Sequence, residues 1–129
     1  MSELFGEQAM ADAKKFNLEE LRSMVFINDR GEFKGLPLPD EIQYSSVYAI
    51  AHGAKDELYF GGNNFKTKPQ FGRADGSFGW RLNLDHNSPE MLFKQCNPLY
   101  ISGQIRSIES YGDKLIFGVN NEKIEVIDK

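Results

Sequence analysis

The chain has 129 residues, of which 40% are hydrophobic and 12% aromatic, with ten phenylalanines. This length and composition predict one globular domain, or part of a larger one, with enough apolar residues for a core. The net charge is −4 and there is no basic block, which argues against nucleic acid or an anionic membrane as the main partner. No apolar run approaches the roughly 20 residues of a membrane span. A single cysteine, Cys96, excludes an internal disulfide.

The N-terminal residues predict a short amphipathic helix. Residues 2–16 place leucine, phenylalanine and alanine near one face at three- to four-residue spacing. Asn17 and Glu20 have the spacing of a capping box, which predicts a further helical turn over residues 18–22. We expect this segment, residues 1–22, to be a helical cap packed on the edge or end of a sheet.

The rest of the chain predicts short antiparallel strands. Apolar residues interrupted by turn signals indicate hairpins, and alternation of apolar and polar residues indicates strands with one buried side. Pro37 and Pro39 exclude a central strand and predict an extended surface connection. The predicted segments are a hairpin at residues 24–34, a strand at 78–84 with its partner at 91–96, and a closing strand at 123–128.

One stretch of the sequence, residues 47–64, recurs in diluted form at residues 105–121. Each copy predicts a strand, a tight polar turn and a second strand. The copies begin about 58 residues apart, and a fixed spacing of this kind indicates a repeated supersecondary unit. If the module is duplicated, the two asparagine pairs at its ends should have equivalent surroundings. The matched residues are Val47 and Ile105, Ile50 and Ile108, Asp56 and Asp113, Leu58 and Leu115, Phe60 and Phe117, Gly61 and Gly118, Asn63 and Asn120, and Asn64 and Asn121.

The order of these segments predicts propeller-like sheets. Four short antiparallel strands per about 57 residues is the content of one propeller blade, which buries both of its faces against its neighbours. We therefore predict a mainly β, antiparallel fold of about two propeller-like four-stranded blades, an incomplete propeller, with a short N-terminal helix. Within a single domain or fragment, the first blade-like unit with its preceding hairpin spans residues 23–104, and a second, partial unit spans residues 105–129.

Three stretches carry a family resemblance: LPLPDEIQYSSVYAI, LYFGGNNFKTKPQFGRADGSFGWRL and SGQIRSIESYGDKLIFGVNNEKIEVIDK. Their most specific part is Gly72-Arg73-x-Asp75 followed by Gly79. The chain resembles the C-terminal part of bacterial FG-GAP/VCBS repeat β-propeller proteins, a group related to the ASPIC and UnbV proteins and common in Bacteroidetes. The resemblance implies a non-catalytic propeller that binds a protein or glycan partner. It also implies a periplasmic, outer-membrane-associated or secreted location, although the N-terminus of this chain does not have the pattern of a secretory signal.

The chain departs from this family in two respects. Members often carry acidic calcium loops, whereas the equivalent turns here read HGAKDE and SYGD and offer too few carboxylates for six to eight oxygen ligands. We therefore expect no metal site and no cofactor. A closed propeller takes four to eight blades, and this chain holds about two. It is either an excerpt of a longer propeller or a short relative, which we expect to self-associate.

The candidate binding site is the irregular stretch of residues 63–80. It combines amides, cations, a carboxylate and aromatic rings, a mixture that suits sugars or peptides. The alternative is that Arg73 and Asp75 pair to tie the loop and that the phenylalanines fill space between sheets. The candidate ligand-binding residues are Asn63, Asn64, Lys66, Arg73, Asp75 and Trp80.

Catalysis has weak support in the sequence. Cys96, His52 and His86 could in principle supply a nucleophile and a base, but no flanking motif places them together. We expect a binding module without enzymatic activity. The alternatives are a structural or assembly unit without a ligand of its own and, more remotely, a small hydrolase.

Overall fold

The computed structural model describes residues 2–54, 56–85 and 92–129, which form three short α-helices and nine β-strands. The helices are α1 (Ser2–Phe5), α2 (Glu7–Ala11) and α3 (Asp40–Gln43), and a 3₁₀ turn covers Pro69–Phe71. The strands are β1 (Met24–Asp29), β2 (Glu32–Pro37), β3 (Val47–His52), β4 (Glu57–Gly62), β5 (Trp80–Leu84), β6 (Phe93–Pro98), β7 (Ile105–Tyr111), β8 (Lys114–Val119) and β9 (Glu125–Asp128). Within the described part of the chain, no helix has the length and apolar character needed to cross a membrane.

The strands pair antiparallel in three sheets, which confirms the predicted mainly β, antiparallel fold class. The first sheet is the hairpin β1–β2, the second is the meander β3–β4–β5–β6, and the third is β7–β8–β9. The predicted hairpins and the closing strand are present, with shifted bounds. β2 continues to Pro37, into the predicted connection, and β5, β6 and β9 each begin two residues later than predicted. The sheets hold two, four and three strands, and the described residues form no closed ring of sheets.

Each face of the four-stranded sheet holds buried residues, although Ile50 of β3, the cross-strand neighbour of Phe60, is 61% exposed. On one face, Phe60 and Trp80 pack in a cluster with Ile42 of α3. On the other, Tyr59 packs against the three-stranded sheet. Tyr59 and Phe60 are consecutive residues of a strand, so their side chains point to opposite faces. The three-stranded sheet buries only its inner face, because Val126 on the outer face is 54% exposed.

The two predicted copies fold as the same kind of hairpin. The register of β3–β4 shifts between Val47 and Ala49, and that of β7–β8 shifts between Ile105 and Ser107. Both shifts occur at the same position of the repeat and leave one extra residue on the first strand. A bulge at the same place bends both hairpins alike.

The expected equivalence of the asparagine pairs is wrong. Asn63 is only 2% exposed and its side chain is fully hydrogen-bonded, whereas Asn120 and Asn121 are exposed. The difference arises because Asn63 begins a long loop that folds back over it, while Asn120 begins a short turn at the surface. The repeat therefore extends to the hairpins and their bulges but not to the residues that follow them.

The N-terminal segment differs from the predicted helix. Gly6 has φ of +78° and separates α1 from α2, and helix ends at Ala11. Residues 18–22 form no helical turn, because the Glu20 carboxylate accepts hydrogen bonds from the backbone and side chain of Arg22 rather than capping a helix. The apolar side chains of this segment are exposed, so it does not bury them against a sheet: Leu4, Phe5, Phe16, Leu18 and Leu21.

A short helix replaces part of the predicted extended connection. Pro39 precedes α3, where its fixed φ and missing N–H suit a helix start. Ile42 of this helix is 1% exposed. The Gln43 side chain fixes the helix by accepting a hydrogen bond from Ser23 N (2.8 Å) and donating to Leu38 O (2.9 Å).

Candidate functional site

The loop between β4 and β5 is tied into a closed turn. The backbone amides of Asn64 and Ala74 each donate to the carbonyl oxygen of the other residue, at 2.7 and 2.9 Å. The 3₁₀ turn lies at the far end of the segment that this bridge encloses. The predicted irregular stretch is therefore held as a defined platform next to the four-stranded sheet.

Asn63 organises the base of this loop. Its side-chain amide donates both hydrogens, to Ser77 O (2.7 Å) and Gly103 O (2.8 Å), and its Oδ1 accepts from Ser77 N (2.8 Å). Its backbone amide donates to Ser45 Oγ (3.1 Å). Asn63 has φ of +78°, a left-handed conformation that asparagine tolerates better than most residues. Its amide thus joins three chain segments and has no donor left for a ligand.

Arg106 and Gln104 attach the loop to the three-stranded sheet. Arg106 Nη1 donates to Asn63 O (2.9 Å), and its Nη2 donates to Gln104 Oε1 (3.0 Å). The same Gln104 oxygen accepts from the backbone amide of Phe65 (3.0 Å). The position of the loop is therefore set by residues about 40 positions further along the chain.

A small cavity of about 170 Å³ opens between this loop and the segment before β7. It is smaller than the roughly 300–1,000 Å³ of pockets that enclose drug-sized ligands. It suits a single sugar ring or one side chain of a protein partner. The lining residues are Asn63, Phe65, Asp75, Ser77, Phe78, Ser102 and Gly103.

The cavity combines apolar rings with a few polar groups. Phe65 and Phe78 supply the aromatic surface, and Phe78 is 48% exposed. Asp75 is the only lining residue with a charged side chain, and no ion pair to it is found within the described part of the chain. Ser77 is buried and Ser102 is exposed, so the hydroxyl groups lie at different depths.

Arg73 does not pair with Asp75 in the way that the alternative interpretation of the loop required. Its guanidinium carbon lies 3.8 Å from the centroid of the Phe65 ring, a cation–π arrangement. The loop is tied by the Asn64–Ala74 bridge instead. The Asp75 carboxylate consequently stays available at the cavity.

The six candidate residues fall in different places. Asn63 and Asp75 line the cavity, whereas Lys66 and Arg73 are exposed on the loop outside its lining. Asn64 belongs to the bridge. Trp80 is 6% exposed and packs edge-on against Tyr44 and Phe78, with ring centroids 6.5 and 6.4 Å away, so it serves the core.

Sequence reasoning missed Ser77, Ser102 and Gly103 as lining residues. Ser102 and Gly103 precede the second copy of the repeat, and no local pattern marks them. Gly103 has φ of +95°, and a Cβ there would lie 2.6 Å from a methyl group of Val119. A glycine two residues before the repeat was the available signal, but a glycine indicates only that the backbone is closely approached and does not identify the approaching residue.

The residues considered for catalysis form no described constellation. Cys96 lies on β6, and burial, followed by the nearby charge of Glu41, raises the pKa of its thiol to about 11. His52 ends β3 and is exposed, and His86 lies outside the described residues. Among the residues that the structure describes, no group of three or more histidine, cysteine, aspartate or glutamate side chains could hold a metal ion.

Comparisons of the chain with models of protein families, with curated proteins and with solved structures find no match. Its function therefore has to be inferred from the residues and their arrangement.

Proposed function

We propose that this chain is a non-enzymatic binding module of the FG-GAP/VCBS propeller kind, with the cavity beside Asn63 as its ligand site. The observation that carries the proposal is the cavity itself. It is bordered by two phenylalanine rings, two serine hydroxyls and a carboxylate without an ion pair in the described structure. Aromatic surface with a few convergent polar groups is the usual composition of a site for a small ligand.

The sheet arrangement supports the propeller part of the proposal. The four-stranded sheet is a simple meander, the strand order of a propeller blade. The buried residues on its two faces pack against different parts of the chain, as those of an internal blade do. The hairpin before it and the three-stranded sheet after it then correspond to parts of the flanking blades.

The state of Cys96 favours binding over hydrolysis. A thiol with a pKa of about 11 is almost entirely protonated at neutral pH. The thiolate, not the thiol, is the nucleophile in cysteine chemistry. An active cysteine needs the opposite environment, one that lowers its pKa.

The test is a glycan array and a pull-down with the intact chain, followed by a variant that fills the cavity. Ser102→Tyr adds a ring at an exposed position of the cavity lining and should abolish binding of any ligand found. Ser110→Tyr adds the same ring at an exposed serine of β7 that does not line the cavity, and should leave binding intact. Equal binding by both variants, or no ligand in either screen, would argue against the proposal.

A second candidate, an assembly unit, is favoured by the outer face of the three-stranded sheet. Ile116 occupies in β8 the position that Tyr59 occupies in β4, two residues before the equivalent glycine. Tyr59 is 1% exposed because the next sheet covers it, whereas Val126, the cross-strand neighbour of Ile116, is 54% exposed. The outer face therefore repeats a face that is covered elsewhere in the same molecule.

This candidate predicts that the chain self-associates through that face. Light scattering over a range of concentrations should give a mass above that of the monomer, and Val126→Lys should return it to the monomer mass. Phe71→Lys, at a loop residue that is also exposed, is the matched control. A monomer at every concentration would eliminate the assembly role without affecting the ligand site.

A further inference from the structure

Some polar groups that line the cavity beside Asn63 are already hydrogen-bonded within the protein, and others remain open to a ligand. Both hydrogens of the Asn63 amide are already donated, and its Oδ1 already accepts from Ser77 N. The Asp75 carboxylate is an acceptor only, the Ser77 hydroxyl already accepts from Gly79 N (3.4 Å), and the Ser102 hydroxyl can donate or accept. The one charged group that a ligand meets is therefore an acceptor, so a ligand with a charged donor suits the cavity best.

The cavity lining contains one charged side chain, that of Asp75. Asp75 is the only charged residue in the lining, and no ion pair neutralises it within the described residues. The nearest cation in sequence, Arg73, is held on the ring of Phe65 at 3.8 Å. Arg106 is engaged with Asn63 O, Gln104 Oε1 and the ring of Tyr48. A carboxylate and an aromatic ring in the same lining can each attract a cation, the carboxylate through its charge and the ring through its quadrupole.

Resting on the proposed function, we propose that the cavity takes an amino sugar with an unsubstituted amine, whose ammonium group binds between Asp75 and Phe78. The ring hydroxyls of the sugar then pair with Ser77 and Ser102. A lysine side chain of a protein could bring the same ammonium group. Its apolar methylene stem, however, has no group that could accept a hydrogen bond from the Ser77 or Ser102 hydroxyl, whereas the ring hydroxyls of a sugar could.

The experiment titrates the isotope-labelled intact chain with glucosamine, glucose and N-acetylglucosamine near pH 6, where an aliphatic amine carries its charge. Backbone amide shifts of Phe65, Asp75, Ser77 and Gly103 report occupation of the cavity. Glucosamine and glucose differ only by amine and hydroxyl, so they form a matched pair. We expect glucosamine to bind about tenfold more tightly than glucose, because only its ammonium makes a charge-assisted hydrogen bond.

The variant Asp75→Asn keeps the shape of the side chain and removes its charge. It should abolish the preference for glucosamine while leaving the amide spectrum of the rest of the chain unchanged. Equal affinities of the two sugars, or a preference that survives in Asp75→Asn, would overturn the inference and leave the binding function standing.

A fourth probe, Nα-acetyl-lysine methyl amide, separates the remaining outcomes. Binding of this probe in an Asp75-dependent manner, with no sugar bound, would overturn the sugar assignment in favour of a protein partner. No shift of the cavity residues with any of the four probes would count against the binding site itself, and so against the proposed function as well.

Discussion

The guanidinium carbon of Arg106 lies 4.1 Å from the centroid of the Tyr48 ring. The two residues occupy the same position in their hairpins, since each is the extra residue of the bulge on the first strand. The two copies of the repeat thus meet at equivalent points but with different side chains, a cation on one and an aromatic ring on the other. The same Arg106 also holds Asn63 O, so the junction between the sheets is linked to the loop that forms the cavity.

This linkage predicts that Arg106→Ala both destabilises the fold and loosens the cavity loop. The variant loses a charged hydrogen bond to a backbone carbonyl and a cation–π contact, which should lower the free energy of unfolding by about 2 kcal/mol. Urea denaturation measures the loss, and hydrogen exchange of the Phe65 and Ala74 amides should accelerate. Lys123→Ala, at an exposed lysine, should stay within about 0.5 kcal/mol. Unchanged exchange in the loop would show that Arg106 does not position it.

The repeat offers a second, sharper comparison at its two glycines. A Cβ on Gly61 would lie 2.7 Å from the Cβ of Ile105 and closer still to its Cγ2, between two packed sheets. At the equivalent Gly118, the overlap is with the Ser107 hydroxyl, which can rotate away. We expect Gly61→Ala to cost about 1–3 kcal/mol and Gly118→Ala less than about 1 kcal/mol. Similar losses measured by thermal or urea unfolding would contradict the notion that Ile105 fits against Gly61.

The difference in burial between Asn63 and its repeat equivalent Asn120 gives a third prediction. Asn63→Ala would leave Ser77 O, Gly103 O and Ser77 N without partners in a buried site, so the free energy of unfolding should fall by about 2–4 kcal/mol. Asn120→Ala removes an exposed side chain and should change stability by less than about 0.5 kcal/mol. Equal effects in urea denaturation would restore the equivalence that the sequence predicted and contradict the surroundings seen in the structure.

The hairpins could be predicted from the sequence because their signals are local. Alternating apolar residues on either side of a polar turn define β3–β4 and β7–β8 within about 16 residues each. The match between the copies also placed the equivalent glycines correctly, each one residue before the end of its strand, β4 or β8. Gly61 and Gly118 lie opposite Ala49 and Ser107, respectively, immediately after the bulges.

The burial of individual side chains depends on contacts between distant parts of the chain, which a local sequence pattern does not contain. Asn63 is buried at a place where Gly103, 40 residues later in the chain, accepts a hydrogen bond from its side chain. Trp80 could be recognised as part of an aromatic stretch, but only the pairing of Phe60 with Trp80 puts it in the core. In the same way, the spacing of apolar residues near the N-terminus indicates amphipathic character but does not provide a sheet for them to pack against.

Cys96 supplies the last prediction, which concerns pH. Burial raises the pKa of its thiol from 9.0 to about 11, with a smaller contribution from the negative charge of Glu41. The alkylation rate of the native chain should therefore rise with a midpoint near pH 11, whereas the chain in urea should show the midpoint of an ordinary thiol.

Because the unfolded chain releases this proton first, the stability contributed by the buried thiol is fully present below about pH 9 and is lost as the pH rises towards about 11. Cys96→Ala should remove this decline from the pH dependence of unfolding. A midpoint well below 9 in the native chain would instead indicate an activated thiol, and it would favour the hydrolase alternative over a binding module.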